Sequence, residues 1–204
     1  MTYPAFYDEA PRITVRDPLS DFLGAAEGGV MEYRYLDAVH LAGHSCPTVA
    51  GAWLLARAAL RALYPDATPE RGAVSVRMPS AQDEGVTGVM AQVFTLVTGA
   101  AADNGFHGIG GHFVRQGLLS YDGSTPGEPI QFTRRDNGKT VAVELDLRTV
   151  PPVPNLRELL VAAINPGASA SQRQVFADAW QGRVRALLLD HADDTQVVRI
   201  TAVN

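Results

Sequence analysis

Apolar residues return every three or four positions across residues 47–64. Val49, Trp53, Ala56, Leu60 and Leu63 form one helical stripe, and Ala50, Leu54 and Ala58 widen it. Arg57 and Arg61 fall on the opposite side. Pro47 stands at a first helical position, where a missing N–H costs nothing. Pro65-Asp66 and Thr68-Pro69 end this helix, and Gly51 among alanines lets another element approach it closely. A second apolar run, residues 86–97, has almost no polar face (Val89, Met90, Val93, Phe94, Val97), which suits a helix covered on both sides. Asp83 or Glu84 fits its N-terminus and Gly99 its C-terminus.

Alternation replaces the helical period elsewhere. Residues 72–78 read as a strand, as do 113–121, 130–134 and 140–147. Asp136-Asn137-Gly138 joins the last two as a hairpin turn. A short helix over 36–41 should stop at Gly43, so that His40 and His44 share no face. Past the connector at Pro151, Pro152 and Pro154, a short helix is expected over 155–163. A long one follows over 171–191, with Val175, Phe176, Ala179, Trp180, Val184, Leu187 and Leu188 on one face, then a last strand over 197–203. Residues 1–30, broken by Pro4, Pro11 and Pro18, read as an irregular arm with a short helix near 20–23. The fold class predicted is α+β, a mixed sheet with helices. The expected units are the arm at 1–30, an α+β domain at 31–150, and a helical C-terminal portion at 151–204 packed on that domain.

Composition narrows the functions open to such a fold. Seventeen Lys and Arg against 22 Asp and Glu leave a net charge of −5, which argues against a nucleic-acid partner, since phosphate binding needs a local basic surplus. A single cysteine excludes an internal disulfide framework. The first residues carry neither a basic nor an apolar signal region, and no apolar run reaches the ~18 residues of a membrane span. The expectation is a soluble, cytoplasmic protein with no membrane partner. The nearly all-apolar 86–97 segment leaves a homodimer open, and a small-molecule ligand is also open.

The chemistry centres on Gly43-His44-Ser45-Cys46-Pro47. In an extended lead-in to a helix, side chains two apart point the same way, so His44 and Cys46 could converge on one ion. Zinc accepts imidazole and thiolate together, and another divalent transition metal is possible. Two ligands are too few. The candidates for the rest are His107 and His112, around the glycine-rich stretch 104–111, then His40, Asp83 and Glu84; local spacing does not choose among them. A second reading makes Cys46 a metal-free nucleophile or redox thiol. Its place at a helix N-terminus favours the thiolate, with His44 or His112 as base. In a third reading, backbone N–H groups of the glycine loop bind a small anion. Plainer roles compete. A lone cysteine is often a small buried hydrophobe, and the spacing of His107 and His112 gives no shared helix face. Gly108-Ile109-Gly110-Gly111 lacks the strand–GxGxxG–helix context of a dinucleotide site. Asp83 and Glu84 suit capping, and His191 suits a helix C-terminus.

The same pentapeptide, followed by Gly51 and an alanine-rich helix, resembles the FmdE-like family, named for a component of formylmethanofuran dehydrogenase. Its members open a helix with a (His)-Gly-His-x-Cys-Pro signature. The likeness continues through Leu96-Val97-Thr98-Gly99 and covers residues 33–147; residues 176–184 also look like bacterial members. The resemblance implies an α+β domain related in architecture to the catalytic domain of glyceraldehyde-3-phosphate dehydrogenase. It also implies a metal, usually zinc, near the signature. Ala42 replaces the first histidine, Ala100 stands where a cysteine is common, and no Cys-x-x-Cys pairs follow. Only His44 and Cys46 carry over as ligands, with His107 and His112 placed to compensate.

Overall fold

The computed structural model describes residues 3–203. In chain order the elements are α1 (Phe6–Glu9), β1 (Ile13–Arg16), α2 (Pro18–Phe22), β2 (Val30–Tyr33), α3 (Tyr35–Ala42), α4 (Pro47–Leu63), β3 (Val74–Met78), α5 (Thr87–Thr98), β4 (Leu119–Tyr121), β5 (Ile130–Arg134), β6 (Thr140–Leu145), α6 (Leu156–Ile164), α7 (Ala170–Arg185) and β7 (Val198–Val203). A π-turn over Ala186–Asp190 extends α7. The architecture is α+β. Its main sheet has the order β4-β3-β5-β6-β7 and is mixed: β3 pairs with β4 in parallel, and the other pairs are antiparallel.

The stripe that marks α4 in the sequence is the centre of the core. Val49, Ala52, Trp53, Leu55, Ala56, Ala59 and Leu63 are fully buried. The helix packs on α5 and across β6. Gly51 is what allows the second contact: a Cβ there would lie 2.2 Å from Cδ2 of Leu145 in β6. α5 is buried through Ala91, Val93, Phe94 and Val97, and the Phe94 ring meets Phe132 of β5 edge-on at 5.1 Å. Gly99 closes α5 in the left-handed conformation. The Asp136–Gly138 turn forms as the spacing requires, with Thr133 opposite Thr140. β7 brings the C-terminal portion into the same sheet, pairing with β6 from Leu145↔Val198 to Thr140↔Val203.

The structure departs from the sequence reading in three places. The arm is not irregular throughout. β1 pairs with β2, from Ile13↔Tyr33 to Arg16↔Val30, and Phe6, Tyr7, Ile13 and Val15 are core residues. Its anchors are long-range: Trp53 Nε1–H donates to the Pro11 carbonyl at 2.8 Å, and Arg16 N–H to that of Pro69 at 2.9 Å. Four-residue strands between prolines show no usable period, which is why the pattern hid them. Residues 113–118 are not strand. The Arg115 and Gln116 N–H groups turn to the Phe106 carbonyl, at 2.8 and 3.3 Å, so that backbone serves the glycine loop instead of a ladder. Neither Asp83 nor Glu84 caps α5, whose N-cap residue is Val86 without a side-chain bond. Among the described residues, no helix is long and apolar enough to cross a membrane.

Candidate functional site

Gly43 ends α3 at φ 73, its N–H bonded to the Val39 carbonyl, and so throws the next three residues away from the helix axis. His44 is exposed. Its Nδ1 lies 2.9 Å from the Ala42 carbonyl oxygen, which can only accept, so Nδ1 is the donor and in the neutral ring the lone pair is on Nε2. Ser45 turns inward. Its hydroxyl meets the Tyr35 hydroxyl at 2.9 Å in a buried pair. Its carbonyl accepts from Trp180 Nε1–H at 3.0 Å and Gln181 Nε2–H at 3.2 Å, both from α7. Tyr7 in turn donates to Gln181 Oε1 at 3.1 Å. Burial pushes the Tyr35 phenol far above its usual range despite the Ser45 hydrogen bond, and burial raises Tyr7 as well. Both therefore stay neutral partners.

Cys46 is the N-cap of α4 in extended geometry (φ −150, ψ 168). Its Sγ accepts the Val49 N–H at 3.4 Å, satisfying one of the orphan donors of the first turn. The residue is 8% exposed and belongs to the core cluster. The expected parallel display of His44 and Cys46 is therefore replaced by two different settings. The imidazole bends back to the end of α3 in solvent, and the thiol faces the first turn of its own helix.

The other candidates lie elsewhere. His40 Nε2 meets the Tyr3 hydroxyl at 3.0 Å. His107 and His112 are exposed, and His112 exchanges two 2.9 Å backbone bonds with Ile109 across a tight turn of the glycine loop. Asp83 and Glu84 are exposed, and His191 pairs with Asp194 at 2.8 Å. Among the described residues, no three His, Cys, Asp or Glu side chains come together in a way that could hold a metal ion. His44 and Cys46 have donor chemistry suited to zinc, but the residues present do not complete a site for it. Neither lines the cavity beside Arg57 and Asp193 or the one beside Arg71 and Arg115.

Sequence reasoning missed Tyr7, Tyr35, Ser45 and Gln181, and read Trp180 only as part of an apolar face. One signal was available: the indole N–H of a tryptophan on an apolar face needs an acceptor, and for the half-buried Trp180 this is the Ser45 carbonyl. No protein-family model and no curated protein matches this chain.

Proposed function

We propose that the protein is FmdE-like in architecture and role, and that His44 and Cys46 are two donors for zinc or another divalent transition metal. The observation that carries this reading is the His44 tautomer. A metal-binding imidazole typically donates its second N–H to a carbonyl, and the Ala42 carbonyl does this for His44, leaving Nε2 ready for an ion. In the structure the two side chains face different settings, so joint binding requires the Cys46 Sγ to leave the Val49 N–H and turn toward His44 Nε2, with the remaining positions filled by water or another group from outside the chain. No reaction step is assigned to the metal. The test is calorimetric titration of zinc into protein purified without a polyhistidine tag, with His44→Ala and Cys46→Ser beside it. One equivalent bound by the wild type and lost in both variants supports the reading; no binding, or binding equal in all three, sinks it.

A second reading, in which Cys46 acts as a metal-free thiol, is favoured by the Val49 N–H aimed at its sulfur from a helix N-terminus. Alkylation of Cys46 at neutral pH tests it: a rate no faster than that of an ordinary buried thiol counts against it.

A further inference from the structure

Three arginines that no motif marks, one before the glycine loop in sequence and two after it, are brought to one cavity of about 400 Å³. Arg71, Arg115 and Arg135 line it, with His112, Phe113 and Val114 as one wall. Arg115 is almost fully buried, its guanidinium resting on Gly72 so closely that a Cβ there would lie 1.0 Å from an Arg115 nitrogen. One terminal nitrogen bonds Asp17 Oδ1 at 2.6 Å, yet its buried Nε has no hydrogen-bond partner. A buried charged donor without an acceptor is costly, and sites that carry one commonly await a water or a ligand.

Arg71 is committed: it bonds Asp17 Oδ2 at 2.8 Å and the carbonyls of Leu96 and Thr95. Arg135 is not. Among the described residues its side chain hydrogen-bonds only the Gly72 carbonyl, at 3.4 Å, and no carboxylate pairs with it. The two acidic residues of the lining are engaged elsewhere: Glu70 faces Arg16 at 3.8 Å, and Asp136 pairs with Arg134. Asp17 is shared by Arg71 and Arg115, while Glu70 and Asp136 pair with Arg16 and Arg134, so Arg135 is the lining cation that these carboxylates leave unpaired. Apart from Gly72 and the His112 imidazole, the rest of the wall is apolar: Pro18, Ala73, Phe113 and Val114. Phe113 is held at φ 61 with its ring 5.3 Å from Phe22. Gly108 fixes this wall, since a Cβ on it would lie 2.3 Å from the His112 carbonyl oxygen.

We propose that this cavity binds a small organic oxyanion, a carboxylate or phosphate ester with an apolar body, headed by the Arg135 guanidinium with Arg115 in the lining beside it. Arginine forks recognise planar and tetrahedral oxyanions through paired N–H groups, and the Pro18, Phe113 and Val114 wall takes the apolar part. The proposal is independent of the metal reading, because none of its residues belongs to the His44–Cys46 element.

The test is calorimetric titration of the full chain with benzoate, phenyl phosphate and inorganic phosphate, on wild type, Arg135→Gln and Arg61→Gln. Arg135 is exposed, so its replacement leaves the fold intact, and Arg61 is a surface control paired with Asp193 outside this cavity. Saturable binding of benzoate or phenyl phosphate is expected, weakened about ten-fold or more by Arg135→Gln and by added salt, and unchanged in Arg61→Gln. Benzoate alone marks a carboxylate site, and phenyl phosphate alone a phosphate-ester site. Binding of neither organic anion, equal binding by wild type and Arg135→Gln, or inorganic phosphate binding as tightly as phenyl phosphate would overturn the proposal.

Discussion

Replacing Asp17 by alanine should be among the most damaging single changes in this chain. Asp17 is 3% exposed and lies at a crossing of three segments. Its carboxylate accepts from Leu19 N–H at 2.9 Å and Ser20 N–H at 3.4 Å, which caps α2. It also accepts from Arg71 at 2.8 Å and Arg115 at 2.6 Å. Loss of an N-cap alone costs about 0.5–2 kcal/mol. The larger effect is electrostatic, because the Arg115 side chain is only 7% exposed and would keep a buried charge with no counter-charge. Removing one partner of a buried pair costs about 3–5 kcal/mol, and the two effects share one group and do not add in full. The expected loss for Asp17→Ala is thus about 3–5 kcal/mol, with Asp17→Asn between it and the wild type because it keeps an acceptor. For a chain of this size that corresponds to a Tm lower by about 6–20 °C. Urea unfolding measures it, with the slope unchanged. A loss under about 1 kcal/mol would refute the reasoning.

The pH dependence carries the same signature. Burial pushes the Asp17 carboxyl upward, but the Arg71 hydrogen bond, the charges of Arg115 and Arg71 and the Leu19 N–H outweigh it, and the group sits below its usual range. A depressed carboxyl stabilises the fold above its unfolded value, near ~3.9, and that contribution fades as pH falls through the folded value. Wild type should therefore lose stability below about pH 4 more steeply than Asp17→Ala does.

Two further changes probe the packing around the two sites. Gly72→Ala would place a Cβ on the Arg115 guanidinium at φ 91, and should cost more than about 1–3 kcal/mol in urea unfolding, since overpacking and a left-handed backbone act together. Trp180→Phe removes the indole N–H from the Ser45 carbonyl and should cost about 1 kcal/mol, while raising the rate of Cys46 alkylation if α7 shields the thiol; an unchanged rate would show that it does not.

How much was legible follows from the range over which each residue's partners lie. The α4 helix could be read because its apolar stripe, its Pro47 start and its terminating prolines are all local. The Asp136–Gly138 hairpin was local in the same way. β1 and the 113–118 loop were not, since β1 pairs with β2 and bonds Pro69 while Arg115 and Gln116 turn back to Phe106, and no nearby residue advertises that. Asp17 is 54 positions from Arg71 and 98 from Arg115, so the arginine cavity had no sequence pattern at all. The glycine loop was legible as permissive backbone, but its role as a wall beside those arginines emerges only in the fold. At the signature, the sequence placed Cys46 correctly at a helix start. It missed that the sulfur would serve its own first turn and that Ser45, between the two predicted donors, would be the buried link to Tyr35 and α7.

The central claim is that His44 and Cys46 bind a metal as an open, two-donor element. The most direct measurement is zinc titration by calorimetry into tag-free wild type, His44→Ala and Cys46→Ser. One equivalent of zinc is expected in the wild type, released by a chelator without unfolding the chain, and none in either variant. Absence of zinc binding to the wild type, or binding that survives both substitutions, would contradict it.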